Sequence, residues 1–263
     1  MSDRIAGAFA RARAEGRAAL LPYLMLGYPN PKTSLAAARM ALEAGADGLE
    51  LGIPFSDPLA DGPTIQEAGD VALRQGMTLR QGLALTARLR EVDRIAPFFL
   101  MSYLNPLLAY GLEALCRDAA AAGADGLIVP DLPPEEEAPL AAACAPHGLP
   151  LIHLLAPTSS PQRIATVARQ SRGMLYLVSV TGVTGARETL PADLPAFVGR
   201  VRAVTDLPLA VGFGVSSPEQ ARAVGQVADG VIVGSALLQR LAAEGVPGVA
   251  AFVRLLREAL SDP

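Results

Sequence analysis

The chain has 263 residues, 51% of them apolar and 18% charged, which is enough to bury one large core and close to the length of an eight-unit α/β barrel. Its formal net charge is −4, and its 22 basic residues, all arginine except Lys32, are scattered, so no basic surface is laid out for a nucleic-acid backbone. The most apolar stretch, 138–157, is interrupted by Pro146, His147, Gly148, Pro150 and His153 and falls short of the roughly 18 unbroken residues a membrane span requires.

Residues 2–16, SDRIAGAFARARAEG, form an amphipathic pattern, with Ile5 and Phe9 on one side and Arg4, Arg11, Arg13 and Arg17 mostly elsewhere. Asp3 and Glu15 set it apart from an acid-poor transit peptide. The pattern predicts an extra N-terminal helix, capped by Ser2 and ended by Gly16, covering one end of the domain.

Onward, apolar runs of strand length alternate with helical-period segments, the pattern of repeated βα units on a parallel sheet. Strands are predicted at 20–26, 48–53, 97–103, 126–130, 150–156, 174–180, 208–213 and 230–234, and their near-continuous apolarity fits strands covered on both faces. An internal echo supports this: ALEAGADGLELGIP (41–54) returns in kind as AAAAGADGLIVPDLP (119–133) and VADGVIVGSA (227–236). Gly45 and Gly123 suit the left-handed position that ends a helix, and Asp47, Asp125 and Asp229 sit in the turn into each strand. With no linker or low-complexity segment, residues 1–263 read as a single-domain α/β protein, a (βα)8 TIM barrel.

The opposite strand ends carry long, polar, proline-stiffened loops, and in such barrels the site is assembled at the carboxyl ends of the strands. Two carboxylates stand out there. Glu50 lies inside the apolar run GLELGI, and Asp61 ends the loop PFSDPLADGP. Burial raises the pKa of a carboxyl, so Glu50 is placed to donate a proton while an ionised Asp61 faces developing positive charge. Taken alone, Glu50 could instead pair with an arginine inside the barrel, and Asp61 alone, in DGP, would be only a turn former.

Other chemistry has few carriers. Lys32 sits at a helix start, where a lysine is solvated, and a Schiff base needs a desolvated one. His147, in APHG, reads as surface, and His153 alternates with apolar residues in the fifth strand; two histidines do not supply a three-ligand site, so neither a metal nor a covalent intermediate is expected. Cys116 and Cys144 are too few and too far apart for a disulfide framework and read as ordinary buried thiols of a cytoplasmic protein.

A second constellation is glycine-rich: TGVTG (181–185), GFG (212–214) and GS (234–235) end the sixth, seventh and eighth strands. Any one glycine is as readily a tight turn, but together they can present N–H groups to a phosphate, with Ser235 capping a helix that begins at Ala236. Between acid and glycines, Tyr23, Met101, Tyr103, Ile128, Leu154, Tyr176 and Phe213 could face the mouth and hold a flat apolar group.

The stretch ELGIPFSDPLADGPTIQ (50–66), followed by MSYLNP, GLIVPDLPPEE, LLAPTS, YLVSVTGVTGAR, GFGVSSPEQ and GSAL, closely resembles the tryptophan synthase alpha chain family over nearly the whole chain. The resemblance implies a barrel that cleaves indole-3-glycerol phosphate to indole and glyceraldehyde 3-phosphate. It makes Glu50 the acid and base and Asp61 the partner of the indole N–H. It matches Gly185, Gly214, Gly234 and Ser235 to phosphate-binding positions and Thr184 to a loop that closes over the site. The seven apolar and aromatic residues fall on or beside the indole pocket, with Tyr23 (often phenylalanine) and Met101 (often leucine) as departures. It also implies an α2β2 assembly with a beta chain that carries the pyridoxal phosphate, this chain holding no cofactor of its own. The loop from Pro54 to Asp61, Asp57 included, and the mouth residues Asn105, Pro106, Asp131, Pro133 and Pro134 are the contact candidates. A stand-alone lyase and a partner-activating subunit remain open readings, and His153 has no role in either.

Overall fold

The computed structural model describes residues 3–178, 193–212 and 214–261. Helix α1 (Asp3–Ala14) leads into β1 (Ala19–Met25), α2 (Pro31–Glu43), β2 (Leu49–Gly52), α3 (Pro63–Arg74), α4 (Leu79–Val92) and β3 (Phe98–Met101). There follow α5 (Leu104–Tyr110), α6 (Leu112–Ala121), β4 (Gly126–Ile128), α7 (Ala138–Cys144), β5 (Leu151–Leu155), α8 (Pro161–Gln170) and β6 (Leu175–Val178). The chain closes through α9 (Leu194–Arg202), β7 (Leu209–Gly212), α10 (Pro218–Gly225), β8 (Gly230–Val233) and α11 (Ser235–Ser261). The eight strands pair in parallel in sequence order, and β1 pairs with β8, so the sheet is the closed barrel the sequence predicts.

Register decides which side chains enter the barrel. Tyr23 pairs with Glu50, Glu50 with Phe99, Phe99 with Gly126, Ile128 with Ile152, Leu154 with Tyr176, and Tyr176 with Ala210. Because faces alternate along a strand, Tyr23, Glu50, Met101, Ile128, Leu154 and Tyr176 share the inner face, and His153 points outward.

The barrel floor explains the sequence echo. Asp47, before β2, accepts from the Leu20 N–H of β1 at 2.8 Å; Asp125, before β4, accepts from Phe98 of β3 at 2.9 Å; Asp229, before β8, accepts from Leu209 of β7 at 2.8 Å. Each carboxylate therefore stitches its strand to the preceding one, and each is neutralised by arginine. Arg17 grips Asp47 through two nitrogens at 2.5 and 2.8 Å, Arg4 and Arg90 converge on Asp125, and Arg13 and Arg202 on Asp229. Helix α1 supplies Arg4 and Arg13 to this ring and buries Ile5 and Phe9 beneath it, as expected of a cover over one end; Ser2 lies outside the described residues.

One expectation is corrected. Cys116 of α6 and Cys144 at the end of α7 are not free thiols but a disulfide, with Cα atoms 5.0 Å apart. Consecutive βα units set their outer helices side by side, so cysteines one repeat apart in sequence become neighbours.

Among the described residues α11 is the one helix long and apolar enough to cross a membrane, but it breaks at Gly245, where φ is 67°, and packs against α2, α10 and β1. Its apolar stripe, Leu237, Leu241, Val249, Val253 and Leu256, belongs to the barrel's outer layer.

Candidate active site

Strand β2 carries Glu50 on the inner face at 2% exposure, and the loop after β2 folds Asp61 back over the mouth at 4%. Oε2 of Glu50 and Oδ1 of Asp61 have no hydrogen-bond partner, and Glu50 makes no ion pair among the described residues, which removes the internal Glu–Arg alternative. Burial pushes the Glu50 carboxyl up to about 8, the nearby Asp61 charge adding to the rise. Asp61 is also pushed up by burial, but only to about 6, because a hydrogen bond from the Tyr103 phenol favours its ionised form. Between those values one carboxyl is neutral and its neighbour charged, the pairing that acid catalysis beside a cation requires.

Around them lie the predicted pocket residues. Tyr23, Met101, Tyr103, Ile128 and Tyr176 are all buried and Leu154 is half-buried, forming an apolar, aromatic wall at the carboxyl end of the barrel. Two glycines make room for phenols. A Cβ at Gly52 would overlap the Tyr23 hydroxyl, and one at Gly212 would overlap that of Tyr176. In both cases a tyrosine leans across onto the next strand, two residues beyond its register partner.

The phosphate candidates Gly214, in a left-handed conformation at φ 91°, and Gly234 lie just past the ends of the adjacent strands β7 and β8. Helix α11 starts at Ser235, one residue earlier than predicted, with Gly234 accepting from Leu237 at 2.9 Å and Leu238 at 3.1 Å. The Ser235 and Ala236 N–H groups thus stand in the unsatisfied first turn, where the helix dipole favours an anion. Thr184, Gly185 and Phe213 lie outside the described residues.

The mouth loops are tied together. Tyr103 Oη accepts from Ala60 N–H at 3.0 Å, its ring stacks tilted on Phe55 with centroids 5.5 Å apart, and Asp131 accepts from Leu104 N–H at 2.9 Å. The loop bearing Asp61 is therefore linked through β3 to the loop after β4. Asp57, Asn105 and Asp131 are exposed and Pro106, Pro133 and Pro134 partly so, whereas Pro54 is buried and shapes its loop instead of offering surface. Leu59, at 85% exposure the barest large apolar side chain among the described residues, lies in the loop 54–61 that the sequence offers as a contact, though nothing there marks it individually. Ser102, buried with an unpartnered hydroxyl, was missed by sequence reading.

Lys32 is exposed at the start of α2, and His147 is exposed, both as expected. His153 now has an explanation. On the outer face of β5 it binds the Glu137 carboxylate through Nε2 and meets Ser171 Oγ at 3.0 Å through Nδ1, fastening β5 to α7 and α8. Its role is structural. Among the described residues no group of three or more histidine, cysteine, aspartate or glutamate side chains is set to hold a metal ion.

Known proteins are similar to this chain in sequence and fold. The family model described as tryptophan synthase alpha chain matches residues 9–256. The tryptophan synthase alpha chain of Roseiflexus castenholzii is 55% identical over 97% of this chain and 99% of its own, and that of Chloroflexus aurantiacus 50% over 99% and 100%. Among solved structures, a chain of Mycobacterium tuberculosis tryptophan synthase superposes with a TM-score of 0.93 at 44% identity, covering 99% of both chains. The Legionella pneumophila alpha chain gives 0.90 at 35% identity over 98% and 97%. With a family match over most of its length and relatives this similar from end to end, the chain belongs to the tryptophan synthase alpha chain family.

Proposed function

We propose that the chain is a lyase that cleaves indole-3-glycerol phosphate to indole and glyceraldehyde 3-phosphate, the alpha reaction of tryptophan biosynthesis. The observation that carries this reading is the split between two adjoining buried carboxyls, Glu50 held neutral up to about pH 8 and Asp61 ionised above about 6. Glu50 protonates the ring carbon that bears the glycerol chain, and the charge appears on the ring nitrogen, whose N–H faces Asp61. The resulting Glu50 carboxylate takes the proton of the adjacent glycerol hydroxyl. As that oxygen becomes an aldehyde, the C–C bond breaks and its electrons return to the ring, releasing neutral indole and resetting Glu50. The ring itself serves as the electron sink. Gly214, Gly234 and the first turn of α11, with Ser235, hold the phosphate; by resemblance Gly185 completes that end and Thr184 belongs to the loop that closes over the site.

The same reading gives the chain a beta partner in a cytoplasmic α2β2 assembly, the pyridoxal phosphate belonging to that partner. It is supported by the exposed Leu59 on the loop that carries Asp61 and by the hydrogen-bonded mouth loops, which a docking chain would hold as one rigid rim. Steady-state indole release from indole-3-glycerol phosphate, with and without a matching beta chain, tests both parts. Slow native turnover, raised strongly by the beta chain and lost in Glu50→Gln, is the expected result. Fast turnover alone would make the enzyme a stand-alone lyase, and none under either condition would overturn the reading.

A further inference from the structure

We propose that Tyr23 is a positioning residue of this site: its phenol donates a hydrogen bond to Asp61 when substrate fills the mouth, closing with Tyr103 a two-phenol clamp on the carboxylate. The inference deepens the proposed lyase reading and rests on it.

The hydroxyl, not merely the ring, is accommodated. Tyr23 is 4% exposed, and Gly52 leaves free the space taken by its oxygen and the adjoining ring edge, the oxygen being the atom nearest to where a Cβ would stand. Yet the hydroxyl's partner is only the Met25 thioether at 3.9 Å, a weak acceptor. Tyr23 and Asp61 both line a small cavity of about 10 Å³, with Met25, Met101, Ser102 and Tyr103 among others, and Asp61 Oδ1 is a buried acceptor with no donor. That volume is the room of about one water, so a phenol with only a weak acceptor and a carboxylate oxygen with no donor border the same small space.

The two inward tyrosines divide their attention. Beyond burial, the charge that bears most on Tyr23 is Asp61, whereas for Tyr176, leaning over Gly212 on the other side, it is Glu50. The titratable groups facing Asp61 are Tyr23 from β1, Glu50 from β2, Tyr103 after β3 and Tyr176 from β6. Of these, Tyr103 is the one whose phenol lowers the Asp61 carboxyl by hydrogen bonding. A second phenol would hold the anion ionised and aimed at the ring N–H through the protonation step.

Tyr23→Phe removes the oxygen and adds no bulk, so it tests the contact without refolding the pocket. With indole-3-glycerol phosphate as substrate, the acid limb of the kcat–pH profile moves up by about one pH unit, because losing a donor favours protonated Asp61. The alkaline limb, set by Glu50, stays, and KM changes less than about two-fold. Superimposable native and Tyr23→Phe profiles would overturn the clamp while leaving the lyase assignment intact. If the native chain shows no lyase activity, that assignment fails instead. The contact is then read by 13C NMR titration of Asp61 with indole present, where an unchanged midpoint in Tyr23→Phe refutes it.

Discussion

Glu50→Gln should make the protein more stable while silencing it, and the size of the gain should depend on pH in a way that only a buried neutral acid explains. Unfolded, the carboxyl ionises near its ordinary value of 4.5; folded, it holds its proton up to about 8. The sign follows from linkage. A raised folded pKa gives a contribution fully present below pH 4.5 and lost progressively until the folded group itself ionises near 8. At pH 7 the folded state must retain a proton that the unfolded chain would release, a cost of roughly 3 kcal/mol at about 1.4 kcal/mol per pH unit. Glutamine carries no such cost. Urea unfolding of both proteins at pH 6, 7 and 8 should show the mutant's advantage widening by about 1.4 kcal/mol from pH 6 to 7 and by about 1 kcal/mol from 7 to 8, where the folded carboxyl itself begins to ionise. Parallel stability curves would refute the raised pKa, and with it the reason for giving Glu50 the acid's role. Turnover is the second readout: a mutant keeping more than a few per cent of kcat would remove Glu50 from the reaction.

The same two values predict a bell-shaped kcat–pH profile with limbs near 6 and 8, since activity needs Asp61 ionised and Glu50 protonated; undiminished turnover at pH 9 would contradict it. Gly234→Val should raise KM by roughly ten-fold or more with a smaller effect on kcat, because a Cβ there already touches the Tyr23 ring at 3.4 Å and the valine methyls would stand where phosphate meets backbone. An unchanged KM would take Gly234 out of the phosphate site. Asp125→Ala should destabilise the barrel by about 3 kcal/mol while sparing kcat/KM, since the lost carboxylate is fully buried, leaving the Phe98 N–H without its acceptor and the Arg90 charge with only the Gly123, Asp93 and Ala96 carbonyls. Denaturation and steady-state kinetics on one preparation separate the two effects, and a loss of kcat/KM matching the loss of stability would sink the division between floor and mouth.

The barrel was legible because apolar strand-length runs alternate with helical segments, and before β2, β4 and β8 a helix end leads through an aspartate into the apolar run, with a glycine stop before the first two. The aspartates' purpose was not, since Asp47, Asp125 and Asp229 act on the strand before their own, which only pairing reveals. Glu50 was legible for the opposite reason: a carboxylate in an apolar run violates the pattern around it. Ser102 and Gly52 violate nothing, so sequence gave no sign that one would be buried with a free hydroxyl and the other would make room for a phenol. The Cys116–Cys144 disulfide was misread because sequence distance says little about neighbours one βα unit apart. His153 looked out of place in an apolar strand until register turned it outward, toward Glu137 and Ser171.

On the proposed lyase reading, the site uses two kinds of backbone for two kinds of carboxyl. A strand residue facing inward is surrounded on all sides by the barrel, and Glu50 therefore meets desolvation with no compensating donor, which keeps it neutral. A loop residue at the rim is also buried, but its loop folds back within reach of hydroxyls at the next strand's end, and Tyr103 offsets part of the penalty for Asp61. Exchange their places and the chemistry fails: an acid with a strong donor would ionise too early to protonate a ring carbon, and a rim carboxyl without one would be neutral when the ring turned cationic. The order of the two in the chain, strand first and loop eleven residues on, is thus the order in which burial and compensation become available as the barrel wall ends and its mouth begins.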